Sequence, residues 1–327
     1  MAWIVDEPGV TLAAFLKART SVAWSVAKRQ IAAGKVFVDG VCATAVDLRL
    51  AAGQTVELRA HAQRPRDPDR EGVLVHDDAH VVVIDKPSGV NSVPYEDRET
   101  GTAMDLVRDA WRQRGRRATV TPLYIVHRLD KDTSGLLCFA KTRLAERGLH
   151  TIFQRHQATR EYLAVAEGRV ESRRIESTLV ADRGDGIRGS TRHAGQGQHA
   201  VTFVEVIKYG DPQRVPMPPR EGLRSGKPSS AHAIEVTARA TLCRVRLETG
   251  RTHQIRIHLS EAGHPLVGET VYIRDLLRAG RTPLPAARLM LHAATLGFIH
   301  PVTGAQLDFR CEPPADFADI LGELGLA

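Results

Sequence analysis

One segment of this chain, residues 127–137 with the sequence HRLDKDTSGLL, combines the groups that could do chemistry. Asp130 stands two positions after Arg128, and a nearby positive charge favours the ionised form of a carboxyl. An ionised, positioned carboxylate can act as a nucleophile. A turn-prone Thr-Ser-Gly then precedes an apolar run at 136–140. The segment therefore predicts a carboxylate nucleophile beside a buried strand, and a structural ion pair with Arg128 is the alternative interpretation.

A second polar stretch, residues 249–258 with the sequence TGRTHQIRIH, carries two arginines and two histidines. Its apolar and polar side chains alternate as they do in a half-buried strand, so we predict a strand over 254–259. In a strand, His253 and His258 point to opposite faces. No Cys or acidic residue stands at ligand spacing beside them, so the sequence predicts no metal site.

The composition is typical of a soluble globular protein that is large enough for two domains. The chain has 327 residues, of which 43% are hydrophobic and 25% are charged. A net charge of +7 suits a polyanionic partner such as nucleic acid. The four cysteines are scattered with no CxxC pair, and no apolar run is long enough to span a membrane. Acidic residues near the start are unlike a signal peptide, so we expect a cytoplasmic protein, with a monomer as the default.

The pattern along the chain predicts two domains. Residues 1–60 hold two short helical patterns followed by strand-like segments, and residues 61–72 are Pro- and charge-rich, as linkers are. In residues 73–327, strand-like runs outnumber helical ones and do not alternate with them. This pattern predicts an α+β domain built on a large mixed, mainly antiparallel sheet with flanking helices. Residues 209–232 are rich in Pro, Gly and Ser and predict a long surface loop.

Five segments of the larger domain resemble, in the same order, the signature segments of the RluA-type RNA pseudouridine synthases. The segments are DKPSGV at 85–90, HRLDKDTSGLL at 127–137, REYLAV at 160–165, TGRTHQIRIH at 249–258, and LMLHA with LGFIHPVTG within 289–304. The turn-like first segment is weak evidence by itself, whereas the second is strong because it contains His, Arg, Asp, Thr, Ser and Gly in a fixed order. Together they span most of the larger domain.

The resemblance implies an isomerase that converts uridine to pseudouridine in RNA without a cofactor. Asp130 takes the position of the family's catalytic Asp, and Tyr162 takes that of a tyrosine that stacks on the target base and can remove the final proton. Arg251 takes the position of the arginine that pairs with the catalytic carboxylate. The further substrate contacts that we expect come from Arg128, His127 and Ile255.

Residues 1–60 resemble a small RNA-binding module shared by a ribosomal small-subunit protein, tyrosyl-tRNA synthetases and many pseudouridine synthases. Basic side chains on its helices can follow a phosphate backbone, and a solvated helical face is the alternative interpretation. The cations expected to contact RNA are Lys17, Arg19, Lys28, Arg29 and Lys35.

Two other functions compete with that of an RNA pseudouridine synthase. A non-catalytic RNA-binding protein could retain a synthase-like domain, although Asp130, Tyr162 and Arg251 are all present. An Asp-dependent hydrolase or phosphotransferase is disfavoured because the chain has no GxxxxGK[ST] phosphate loop. The expected partner is structured RNA. The N-terminal module is typical of branches that act on large-subunit rRNA, whereas KPSGVNSVP resembles a branch that also acts on tRNA, so both substrates stay open.

Overall fold

The structure, a computed structural model of the chain, forms two compact units, Met1–Arg70 and Glu71–Ala327. It describes residues 2–6, 9–32, 35–43, 48–59, 73–94, 100–115, 121–193, 195–216 and 234–327. The predicted linker at 61–72 lies outside the described residues. Within the described part, no helix is both long enough and apolar enough to cross a membrane.

The first unit packs two helices with a small antiparallel sheet, in which the strand order is β1-β4-β2-β3. Leu16 and Ile31 from the helices share one buried core with Val36 and Val56 from the strands. The elements are β1 Ala2–Ile4, α1 Leu12–Thr20, α2 Trp24–Ala32, β2 Val36–Val38, β3 Val41–Cys42 and β4 Thr55–Leu58.

The second unit is built on an 11-stranded sheet with the order β11-β10-β12-β15-β9-β16-β8-β6-β5, with β17 paired to β16 and β7 to β8. Its strands are β5 Leu74–Asp77, β6 Val81–Lys86, β7 Tyr124–Ile125, β8 Ser134–Ala140, β9 Thr159–Glu167, β10 Arg173–Val180, β11 Gly189–Thr191, β12 Gln198–Tyr209, β15 Ala240–Leu247, β16 Leu291–Ile299 and β17 Gln306–Arg310. The β16–β8 pair is parallel and the other pairs are antiparallel. The predicted α+β fold with a large mixed, mainly antiparallel sheet is confirmed.

Apolar clusters lie on both faces of the sheet. Val82 and Ile84 share one cluster with Trp111 from a helix on one face, while Val83 shares another with Leu149 from a helix on the opposite face. Because both faces are covered, the central strands β6 and β8 are almost continuously apolar. The helices of this unit are α3 Ala103–Gln113, α4 Arg143–Gln154, α5 Gln254–Glu261, α6 Arg274–Arg278 and α7 Ala315–Glu323.

The strand predicted over 254–259 is wrong, because these residues form helix α5. All six of them are buried, the polar ones included, so burial does not follow the helical period along this segment. The polar side chains of this segment can be buried beside the isoleucines because each has a polar partner in the interior. Arg256, for example, pairs with Glu269, and His258 contacts Thr202.

The surface loop predicted over 209–232 is wrong in its first part. Residues Pro212–Pro216 form strand β13, which pairs antiparallel with β14, Ile234–Ala238. Strand β13 begins and ends with a proline. Proline is tolerated there because β13 pairs with one strand only in the described part of the chain, so a residue without an N–H disrupts no hydrogen bond to a second strand. Residues 217–232 of the predicted loop lie outside the described residues.

Candidate active site

Asp130 lies on the loop between β7 and β8, and short hydrogen bonds fix this loop on both sides of the carboxylate. The Ser92 hydroxyl donates to the Leu129 carbonyl oxygen at 2.6 Å and accepts the Leu129 N–H at 3.0 Å. Lys86 Nζ donates to the carbonyl oxygen of Lys131 at 3.0 Å. The neighbours of Asp130 on either side are therefore immobilised, while its own side chain keeps 23% of its surface exposed.

Lys86 is a fully buried cation that joins the turn after β6 to the Asp130 loop. Its Nζ donates to the carbonyl oxygens of Pro87, Val90 and Lys131 at 2.9, 2.7 and 3.0 Å. Burial lowers the pKa of Lys86 to about 7, and the charge of Asp130 opposes this shift. Three carbonyl acceptors require three N–H donors, which only the charged ammonium has, so we assign Lys86 a positive charge.

Tyr162 lies on β9 in the middle of the sheet, opposite Val245 on one side and Ala293 on the other. It is 7% exposed and lines the same cleft as Asp130, a cavity of about 1010 Å³. Burial raises the pKa of the Tyr162 phenol, so the hydroxyl is protonated at neutral pH. The cleft therefore contains the flat, neutral ring of Tyr162 and the acidic side chain of Asp130.

The predicted contacts Ile255, His127, Arg128 and Arg251 line this cleft as well. Ile255 is 4% exposed and adds apolar surface. Arg128 is exposed. The structure therefore brings together the six site residues that we predicted in the larger domain, whereas the five predicted in residues 1–60 belong to the other unit.

His127 has structural contacts inside the larger domain. Its Nε2 accepts the N–H of Cys138 at 3.0 Å, and its ring stacks on Phe153 with centroids 4.6 Å apart. Burial, together with the smaller effect of the Arg160 charge, lowers the pKa of His127 to about 3. A neutral His127 therefore ties the loop that carries Asp130 to strand β8.

Arg251 lines the cleft, but the ion pair expected from the resemblance is absent among the described residues of this structure. Its Nε donates to the carbonyl oxygen of His199 at 3.0 Å. Within the described residues, no carboxylate oxygen lies within 4.0 Å of the Arg251 guanidinium, Asp130 included. The role of Arg251 beside the catalytic carboxylate stays a prediction.

Among the described histidines, His253 lies closest to Asp130, with its Nε2 4.0 Å from the carboxylate Oδ1. Its Nδ1 lies 2.7 Å from the Tyr272 hydroxyl oxygen. Burial lowers the pKa of His253 and raises that of Tyr272 to about 12, so both side chains are neutral at neutral pH. The facing carboxylate favours a proton on Nε2, so the Tyr272 hydroxyl donates to Nδ1.

Sequence reasoning missed Gln254, which fixes the loop before α5. Its Oε1 accepts from the Thr249 hydroxyl at 2.8 Å and from the Arg251 N–H at 3.0 Å. Its Nε2 donates to the Val201 carbonyl and the Thr202 hydroxyl, both at 2.9 Å. Gln254 is 2% exposed and all its hydrogen-bonding groups are occupied, so it fixes the loop that places Arg251 and His253.

The buried pair Arg256–Glu269 was also missed. Its two hydrogen bonds, Nε to Oε2 at 2.7 Å and Nη2 to Oε1 at 2.6 Å, are bidentate. The Arg256 guanidinium lies 5.3 Å from the Tyr272 ring centroid. The pair therefore supports Tyr272, which in turn contacts His253. A signal was available in the sequence, because Glu269 follows the GHPLV segment that matches the family pattern.

The residues predicted to hold RNA in the first unit are Lys17 and Arg19 on α1, Lys28 and Arg29 on α2, and Lys35 before β2. The first four are exposed. Lys17 Nζ and Lys28 Nζ lie 5.5 and 5.7 Å from the ring centroid of Trp24, which is 41% exposed. Arg19 forms an ion pair with Asp6 and is less free to contact RNA.

No group of three or more potential metal ligands occurs among the described residues. The predicted absence of a His253–His258 site rested on a strand that is in fact a helix. Both histidines have other contacts, because His253 faces Tyr272 and His258 lies within 3.0 Å of the Ser177 and Thr202 hydroxyls.

Comparison with known proteins gives the class to which this fold and cleft belong. A family model described as RNA pseudouridylate synthase matches residues 80–261, more than half of the chain. The chain belongs to this family and is a pseudouridine synthase, an isomerase.

Two curated relatives are named ribosomal large subunit pseudouridine synthase D. The one from Zymomonas mobilis is 35% identical over 248 residues, covering 74% of this chain and 69% of the relative. The one from Pseudomonas aeruginosa is 32% identical, covering 89% and 84%. The solved structure of human RNA pseudouridylate synthase domain containing 4 has a TM-score of 0.52 at 21% identity, covers 77% of this chain and 92% of its own, and supports the fold.

Proposed function

We propose that Asp130 is the nucleophile of a cofactor-free isomerisation of uridine to pseudouridine in structured RNA. The observation that carries this proposal is the position of the Asp130 carboxylate. It is partly desolvated in a cleft that also holds the Tyr162 ring, with His253 Nε2 4.0 Å away. A charged Lys86 lies behind the loop. These neighbours and the fixed loop hold the carboxylate in one position, so it needs little reorganisation during the reaction.

The reaction breaks the N1–C1′ bond of uridine, turns the uracil ring, and joins C5 to C1′. The proton leaves C5 and N1 gains one, so no electrons enter or leave and the chemistry requires no redox cofactor. Asp130 forms a transient bond to the uracil ring or to C1′, and either route needs the same ionised carboxylate. The target base must leave its stack to enter the cleft.

Tyr162 is placed to stack on the uracil ring. Its raised pKa keeps the hydroxyl protonated at neutral pH, which favours stacking over the role of a strong proton acceptor. Ile255 offers apolar contact to the same base, and Arg128 is exposed and able to fill the space that the base leaves.

We infer that the substrate is large-subunit rRNA, with tRNA as the second candidate. The inference is supported by the names of two relatives that cover 74% and 89% of this chain. Exposed cations on α1 and α2 of the first unit support its proposed role as an RNA-binding module.

The test is release of tritium from RNA labelled at uracil C5. Purified protein is incubated with large-subunit rRNA or with tRNA, and the label that reaches water is counted. Release from rRNA alone supports the inferred substrate, whereas release from tRNA alone contradicts it. Mapping of pseudouridines in a strain that lacks the protein then identifies the target uridine.

A further inference from the structure

Arg160 is a buried arginine in the wall of the active-site cleft. It lies on β9 two residues before Tyr162, so the two side chains emerge on the same face of the sheet, about 7 Å apart along the strand. Arg160 is 8% exposed. Its Nη2 donates to the carbonyl oxygen of Glu248 at 3.1 Å, and its guanidinium lies 5.7 Å from the Phe153 ring centroid.

The loop before α5 packs closely against this guanidinium at Gly250. A Cβ on Gly250 would lie 2.5 Å from Arg160 Nη1, so a larger residue at that position would displace the guanidinium. Phe153 stacks on the other side against His127, which limits movement of the guanidinium toward the loop of Asp130. The side chain is therefore held in one place by packing and by one carbonyl oxygen, and no acidic group of the described residues contributes.

The charge of Arg160 lacks a counter-ion within the described part of the chain. No carboxylate oxygen lies within 4.0 Å of it, and its buried Nε has no hydrogen-bond partner. The other arginine that is buried among the described residues, Arg256, is paired with Glu269. An unpaired buried charge is strongly unfavourable, so a site that keeps one has a use for it.

Arg251 adds a second uncompensated cation to the same cleft. Its N–H and its Nε are held by Gln254 Oε1 and the His199 carbonyl, and its guanidinium has no carboxylate within 4.0 Å among the described residues. The Arg251 charge helps to lower the pKa of Arg160, so the two guanidiniums repel each other. Two like charges on one wall of a cleft form a site for an anion.

We propose that Arg160 and Arg251 together bind one backbone phosphate of the nucleotide whose base enters the cleft. This inference rests on the proposed function, because it takes the occupant to be RNA. A phosphodiester carries one negative charge and oxygen acceptors that match the planar fork of a guanidinium. The side chains of Tyr162 and Arg160 are about 7 Å apart along the strand. This distance is similar to that between the base and the phosphate of one nucleotide, so one nucleotide can contact both side chains.

The test compares the binding of uridine with that of uridine 5′-monophosphate and uridine 3′-monophosphate by titration calorimetry. The wild-type protein is expected to bind one of the monophosphates about tenfold more tightly than uridine, as a charge-assisted bidentate contact gives. Arg160→Gln and Arg251→Gln should each reduce this preference severalfold. Arg246→Gln is the matched control, because that exposed arginine packs over Phe203 and does not line the cleft.

Equal binding of uridine and both monophosphates by the wild-type protein would overturn the proposal, and so would a preference that survives both substitutions. Because the wild-type comparison needs no variant, the proposal remains testable if Arg160→Gln fails to fold. Thermal unfolding separates such a loss from a loss of binding.

Tritium release distinguishes a failure of this site from a failure of the proposed function. If RNA releases tritium and the wild-type protein shows no phosphate preference, the phosphate site is wrong and the proposed function stands. If no RNA releases tritium while the preference is present and falls in Arg160→Gln, the phosphate site stands and the proposed function is wrong. In the active enzyme, Arg160→Gln should raise KM severalfold more than it lowers kcat.

Discussion

Asp130, Tyr162 and His253 define the site at the scale of single residues. The carboxylate is held in place through the main chain of its neighbours, since Ser92 fixes Leu129 and Lys86 fixes Lys131. Its side chain remains accessible from the cleft. The Nε2–H of His253 faces it at 4.0 Å, close enough to tighten into a hydrogen bond when a base closes the cleft.

Tyr272→Phe tests the link between Tyr272 and His253. Loss of the hydroxyl removes the donor to Nδ1, so His253 no longer has a fixed tautomer facing Asp130. We expect kcat to fall roughly fivefold, as the loss of a hydrogen bond of about 1 kcal/mol predicts, with little change in KM. Single-turnover tritium release measures the rate.

Tyr209→Phe is the matched control for this substitution. Its hydroxyl donates to the Val170 carbonyl at 3.0 Å outside the cleft, so its loss should affect stability by a similar amount and leave kcat unchanged. If both variants have the wild-type kcat, Tyr272 has no part in orienting His253.

At the scale of elements, the contact between β8 and β16 holds the Asp130 loop to the centre of the sheet. Gly135, the second residue of β8, pairs with Ala293 of β16 and has a positive φ of 109°. A Cβ on Gly135 would lie 2.3 Å from the Ala293 carbonyl oxygen. Gly135→Ala is therefore expected to lower the free energy of unfolding by about 3 kcal/mol or more. Chemical denaturation measures this change.

Gly263→Ala provides the comparison for Gly135→Ala. Gly263 also has a positive φ, 87°, but a Cβ there would meet nothing within 4 Å. We expect it to cost about 1 kcal/mol, the ordinary penalty of a left-handed alanine. Similar losses in the two variants would show that the contact with β16 is not the cause.

The His127 link between the Asp130 loop and β8 gives the fold an acid dependence. Its pKa is about 3 in the folded chain and 6.5 when exposed. Between pH 3 and pH 6.5 the unfolded state binds more protons than the folded state at this residue. The contribution of His127 to the free energy of unfolding is therefore fully present above pH 6.5 and declines as the pH falls below it. At pH 4.5 the loss from this group is on the order of 3 kcal/mol.

His127→Gln should weaken this acid dependence, because the Gln carbonyl can accept the Cys138 N–H without titrating. Urea unfolding at pH 7 and pH 4.5 gives the difference. His193→Gln, at an exposed histidine, should leave it as in the wild-type protein. An unchanged difference in His127→Gln would mean that His127 does not carry the effect.

The sequence predicted correctly those elements whose hydrophobic pattern is visible in their own residues. The prediction failed where polar residues are buried by contacts with distant parts of the chain. The segment with Asp130 combines a turn and a strand that follow from its own residues. Helix α5 was mistaken for a strand because Gln254, Arg256 and His258 are polar yet buried. Their partners, such as Glu269 and Thr202, lie far away in the sequence, and no local period reports them.

At the scale of the whole molecule, the chain joins a catalytic unit to a smaller unit with exposed cations. The order of five segments along residues 85–304 was enough to predict the reaction class, which the family comparison confirms. The substrate was not predictable in this way, because it depends on which RNA shape the surface fits.

The proposed RNA-binding role of the first unit predicts a salt effect. If Lys17 and Lys28 each contact a phosphate, Lys17→Gln with Lys28→Gln should reduce the slope of log Kd against log salt by about 1 to 2. Filter binding of large-subunit rRNA at several salt concentrations measures the slope. Lys208→Gln, an exposed lysine of the larger unit, is the control, and an unchanged slope in the double variant would exclude this contact.

If the Asp130 carboxylate carries the isomerisation, its replacement by an amide must abolish tritium release, and Asp130→Asn is the variant that shows this. The amide keeps the size and most contacts of the side chain but removes the nucleophilic charge. We predict that the folded variant still binds RNA and releases no tritium above background under conditions where the wild-type protein releases it fully. Release at the wild-type rate by a folded Asp130→Asn protein would contradict the account.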